Sequence, residues 1–174
     1  MDKTLLIENA CTELMAYGVP DRKMQLKRFV KKYMLGRKAA PKDMIFWPTG
    51  LLAEGLWHCR TELALQCGKG WKKESFDVEL AQGQVRQIES VLEAYFDRWR
   101  KKGMPLYFLD DLVAGETFLE QYLSRSADKE QASWQQDTRT RQYREAVDKM
   151  ESFAMEYAKD ETGSLLYRAK QRNG

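Results

Sequence analysis

Apolar residues recur at helical spacing along most of this chain, in two different patterns. One is a single stripe. Over about 84–102, Val85, Ile88, Val91, Leu92, Tyr95, Phe96 and Trp99 share one face, the mark of an amphipathic helix. Arg98, Arg100, Lys101 and Lys102 fill its final turns and Gly103 ends it, with the cations complementing the helix dipole. The same pattern predicts a helix opened by Pro20-Asp21 and closed by Gly36, with Met24, Leu26, Phe29, Val30, Tyr33 and Met34 on its stripe. It predicts another near 139–159, from Tyr143, Val147, Met150, Phe153, Ala154 and Tyr157. The second pattern is apolar on most sides. Thr49 can cap a helix running to about Gln66, with Gly68 as its stop. Leu51, Leu52, Ala53, Gly55, Leu56, Trp57, His58 and Cys59 leave it little polar surface, so it is expected to be packed on most faces. Residues 3–17 form a first helix, with Leu5, Leu6, Leu14 and Met15 apolar. Gly68 to about Gln82 reads as a polar connection, and SRSADKEQASWQQDTRT as a polar linker. No segment keeps a period of two, so no significant sheet is expected.

The stretch GMPLYFLDDLVAGETFLEQYL, 103–123, links a helix stop, an aromatic loop, a tandem acid pair and a new helix with small residues at its start. Part of it is repeated. GLLAEGLWHCRTEL (50–63) aligns with DDLVAGETFLEQYL (110–123), and LEAYFDRWRKKG (92–103) with MESFAMEYAKDETG (150–163). The two kinds of helix alternate. That predicts an all-α fold, a single domain over 1–174 of about six helices in three helical hairpins, the size of half an (α/α)6 toroid.

Composition narrows the function classes. The chain has 174 residues, 43% hydrophobic and 32% charged, a globular composition with enough length for a core. Net charge is +3, from 29 basic and 26 acidic residues with the signs interleaved. That gives no footprint for nucleic acid. No apolar run approaches the roughly 20 residues that span a bilayer, and the N-terminus makes a poor signal peptide. Cys11, Cys59 and Cys67 are odd in number and widely spaced, and His58 is the sole histidine. This argues against a zinc site and a disulfide framework, and a reducing cytosol is the expectation. No cofactor is expected.

The candidate chemistry lies at Asp110-Asp111. An aspartate just before a helical run is a natural N-cap, and only one of the pair is needed for that. Desolvation by Leu106, Tyr107 and Phe108, with like charge next door, would suit the other to proton donation. The competing reading is one cap and one solvated acid. His58, on a helix expected to be buried, is either a core or cavity histidine or a site residue. Trp47, Trp57, Tyr107 and Phe108 could wall a sugar site or simply fill the core.

WPTGLLAEGLWHCRTELAL (47–65), YFDRWRKKGMPLYFLDDLVAGETFLEQYL (95–123) and DETGSLLYRAKQRN (160–173) resemble the N-terminal half of the unsaturated glucuronyl and rhamnogalacturonyl hydrolases, glycoside hydrolase families 88 and 105. The Asp-Asp with its Ala-Gly helix is the most specific part. The resemblance implies an (α/α)6 barrel that acts on lyase-derived oligosaccharides. The double bond C4=C5 of the unsaturated uronide is protonated and water adds at C5. It puts Asp110-Asp111 at the first of two acidic positions, with Asp111 preferred; Trp47, Trp57, His58 and Tyr107, from the reading of the residues above, are the candidates for substrate binding. The family's principal acid/base aspartate lies on a further inner helix, beyond SLLYRAKQRNG, and the sequence stops at Gly174. The expectation is therefore a hydrolase-lineage unit, incomplete as it stands, with an oligosaccharide as its partner. The alternative is a non-catalytic helical scaffold or self-associating protein-binding module, a homo-oligomer through apolar inner helices.

Overall fold

A computed structural model describes residues 3–16, 47–68, 76–106, 108–127, 138–157 and 160–164. The fold is all-α. Helix α1 is Lys3–Ala16, α2 Trp47–Gly68, α3 Val78–Arg100, α4 Val113–Ala127 and α5 Thr138–Ser152. A 3-10 turn, Leu109–Leu112, precedes α4, and a π turn, Phe153–Tyr157, continues α5. The described residues contain no β-strand, and none of their helices is long and apolar enough to cross a membrane. The amphipathic helix expected from Pro20 to Gly36 lies outside the described residues.

Helix α3 organises the packing. Its stripe is buried as the spacing predicts: Ile88, Leu92, Tyr95, Phe96 and Trp99 are at most 1% exposed. Helices α1 and α2 pack on one side of it, while α2 also packs on α4 and α4 on α5. Aromatic rings tie α3 to α4 and α5. The Phe96 centroid lies 4.3 Å from that of Tyr143 and 5.0 Å from that of Phe118, and Trp99 stacks on Phe118 at 5.3 Å. Removing a ring from such a cluster costs about 3–5 kcal/mol. Around the cluster, Arg139 on α5 grips Asp97 on α3 with two hydrogen bonds of 2.6 and 3.1 Å. The Tyr143 hydroxyl donates to Gln121 at 2.6 Å, and burial pushes this phenol well above its ordinary range.

Three expectations about the helices are corrected. Helix α3 starts at Val78 rather than near 84, because the Asp77 carboxylate accepts the Leu80 N–H at 3.0 Å and caps it there. Helix α1 buries Ile7, Cys11 and Leu14, while Leu5, Leu6 and Met15 face outward. Helix α2 is not wrapped on most faces. Thr49, Ala53, Leu56 and Trp57 are buried, whereas Leu51 and Leu65 are each 50% exposed and His58 and Cys59 are exposed. Its contacts with α1, α3 and α4 cover only part of its circumference.

Small residues set the α2–α4 approach. A Cβ on Gly50 would sit 2.9 Å from the Ala114 backbone nitrogen, so the two backbones meet without side chains between them. Past α3 the chain turns through two left-handed residues, Gly103 (φ 81°) and Met104 (φ 53°). Methionine there is strained by about 1 kcal/mol, which burial of its side chain to 7% exposure offsets. The turn is fixed by the Trp99 indole N–H donating to the Pro105 carbonyl at 3.0 Å.

Candidate functional site

The acid pair lies in the 3-10 turn between this corner and α4. Phe108 is extended, and the chain then winds so that the Asp111 N–H donates to the Phe108 carbonyl at 3.1 Å. In return the Phe108 N–H donates to Asp111 Oδ2 at 3.0 Å. The carboxylate thus closes the turn from inside, at 1% exposure. Neither aspartate is the N-cap of a long helix, as the sequence had suggested. Asp111 back-bonds to the residue three before it, a reciprocal arrangement that holds the entry angle of α4. Asp110 is half-buried beside it.

Among the described residues, the candidates Trp57 and His58 do not gather around this turn. Trp57 is buried in the seam with α4, its indole N–H pointing to Glu120 Oε2 at 3.4 Å and its ring 5.2 Å from the Arg60 guanidinium. Arg60 in turn holds Glu89 on α3 at 2.6 Å. His58, one residue on, is turned about 100° away around the helix. It is exposed rather than buried as expected, 3.8 Å from Glu54 on the same helix. Tyr107 and the Trp47 side chain lie outside the described residues. Among the described residues no group of three or more His, Cys, Asp and Glu is placed to hold a metal ion.

A different feature is a concavity among the described residues. A groove of about 840 Å³ opens between the start of α1, the C-terminal half of α2 and the first two turns of α3. Leu6, Ile7, Leu63, Phe76, Leu80 and Ala81 form its apolar walls. His58, Gln66 and Gln84 contribute polar atoms, with Glu62, Asp77 and Lys3 at its edges. His58 belongs to this groove, on the face of α2 that meets α1. The two edge carboxylates are engaged: Glu62 accepts from Gln66 at 2.6 Å, and Asp77 caps α3. Cys59 also lines the groove. Burial, and then the nearby Cys59, push the Cys11 thiol up, which leaves it an unreactive packing group.

Sequence reasoning missed this site, although it left a trace. Leu6 next to Ile7, and Phe76 and Leu80 ahead of Gln84, are surplus to the core stripes of α1 and α3. Apolar residues in excess of a helix's core face have to border something other than the core. The chain matches no known family model, curated protein or solved structure.

Proposed function

We propose that this chain is a non-catalytic helical binding module whose contact surface is the groove between α1, α2 and the start of α3. The carrying observation is the state of Asp111. An acid/base carboxyl has to reach the sugar it protonates, and this one is 1% exposed with Oδ2 bonded to the Phe108 N–H. Its role is to shape a turn. The groove, by contrast, is open, apolar-walled and within the roughly 300–1,000 Å³ of ordinary ligand sites. The three cysteines are free thiols, which supports a reducing compartment such as the cytosol.

The resemblance to the uronyl hydrolases supplies the decisive experiment. An unsaturated uronyl disaccharide loses its ultraviolet absorbance when its C4=C5 bond is hydrated. The expected trace with this protein is flat. Turnover abolished by Asp110→Asn or Asp111→Asn, with the fold intact, would overturn the binding-module reading in favour of the hydrolase. Self-association is a second outcome to be measured. Leu119 (40% exposed) and Leu123 (51%) follow each other by one turn on the outer side of α4, and sedimentation at several concentrations reads whether copies pair there.

A further inference from the structure

We infer that Cys11 and Cys59 form a reversible disulfide that ties α1 to α2 when a disulfide oxidant, such as glutathione disulfide, reaches the groove.

The register of three helices puts the two cysteines opposite each other. Helices α1 and α3 run the same way. Their starts meet at the groove, where Leu6 and Ile7 face Phe76 and Leu80, and Arg98 near the end of α3 reaches the Leu14 and Met15 carbonyls. Helix α2 runs against α3, because Arg60 holds Glu89 while Thr49 shares a hydrogen bond of 3.2 Å with Tyr95. Helices α1 and α2, which pack on each other, are therefore antiparallel. Ile7 and Leu63 line the groove from these two helices. One turn on from Ile7 is Cys11, and one turn back from Leu63 is Cys59. Antiparallel helices with the same rise that match at one turn match at the next. The charge of a Cys59 thiolate is also felt at Cys11, after the larger effect of burial, as expected of sulfurs that are neighbours.

The two thiols divide the chemistry. Cys59 is exposed on the groove and is the one a reagent meets. Cys11, at 2% exposure, is inert toward solution and has only the sulfur beside it to attack. Cys59 loses its proton to solvent, and its thiolate opens glutathione disulfide, releasing one glutathione as it forms a mixed disulfide. Cys11 then gives up its own proton, and its sulfur displaces the second glutathione. Two protein thiols are oxidised, and one glutathione disulfide becomes two glutathione thiols. Burial of Cys11 makes this second step slow. Cys67 is two turns beyond Cys59 on α2, about 12 Å along the axis, outside the roughly 7 Å that a disulfide spans between Cα atoms. The finished bridge fixes the spacing of two groove walls.

The full chain incubated with glutathione disulfide, then acid-quenched, is expected to fall from three free thiols to the single Cys67. Peptide mapping should join Cys11 to Cys59 within one monomer. The melting temperature should rise on oxidation, as a cross-link restricts the unfolded chain, and return with dithiothreitol. Cys67→Ser should keep the bridge. Cys59→Ser, at an exposed position that leaves the fold intact, should lose both the bridge and the rise. In Cys11→Ser, glutathione should remain on Cys59. A glutathione adduct that persists on Cys59 of the unaltered chain would overturn the inference. So would a bridge through Cys67, a bridge only between copies, or three thiols that stay reduced.

Discussion

Arg98 holds the end of a helix that is remote in sequence. Its guanidinium donates to the Leu14 carbonyl at 2.7 Å and the Met15 carbonyl at 2.6 Å. These belong to the last turn of α1, which contains no basic residue of its own. The last carbonyls of a helix lack intrahelical partners and carry the negative end of its dipole. A cation from α3 thus supplies both hydrogen bonds and charge, and burial alone depresses the Arg98 pKa. Arg98→Met keeps the aliphatic stem and removes both bonds. A hydrogen bond to a charged group contributes about 1.5–3 kcal/mol when buried. The Met15 contact is exposed and the Leu14 contact half-buried, so the pair is worth about 2 kcal/mol, nearer one buried bond than two. For a chain of this length that lowers the melting temperature by about 6 °C. Urea titration gives the free energy, and amide exchange locates it. The α1 amides should lose protection beyond the global change, with Arg98→Lys falling between the two. If Arg98→Met stays within about 0.5 kcal/mol of the parent, the range of an ordinary surface change, the capping argument is wrong.

Other substitutions probe the packing. Thr117 is 1% exposed and its hydroxyl has no partner among the described residues, so Thr117→Val, of nearly the same shape, should leave stability unchanged or raise it by about 1 kcal/mol in a denaturant titration. Gly50→Ala drives a Cβ into backbone and should cost about 1–3 kcal/mol, whereas Gly115→Ala meets only the movable Met150 sulfur, at 2.8 Å, and should cost less in the same assay. Hydrogen bonds from Arg139 hold Asp97 below the usual carboxylate range. The unfolded chain then binds the proton first, so this pair stabilises the fold above the ordinary aspartate pKa of about 4. The contribution is lost as pH falls through the lower native value. Arg139→Met should flatten the acid limb of a pH-dependent melting series, and an unchanged limb would rule the pair out as its source.

The helices and their core stripes could be read from the sequence wherever burial alone chose the residues. On α3 and α5, Ile88, Phe96, Trp99, Tyr143 and Met150 sit where the 3.6-residue period puts them. Reading failed where a second surface competed for apolar residues. Leu6 and Leu80 border the groove, so the face of α1 and the start of α3 were misplaced. It failed also where polar groups act over long separations. The basic run at the end of α3 looked like a complement to its own dipole, yet Arg98 serves α1. Asp110-Asp111 was legible as a special place, but whether a carboxylate faces a cavity or closes a turn depends on the path of the neighbouring backbone, which spacing does not encode.

The meeting of α2 and α4 at Gly50 also bears on how this sequence can drift over generations. A site walled by another backbone admits no larger residue, because main-chain atoms cannot repack around the intruder. Position 50 is therefore closed to neutral change, while position 115, facing a supple thioether, stays open to alanine. In any lineage descended from this chain, glycine should persist at the first while the second wanders.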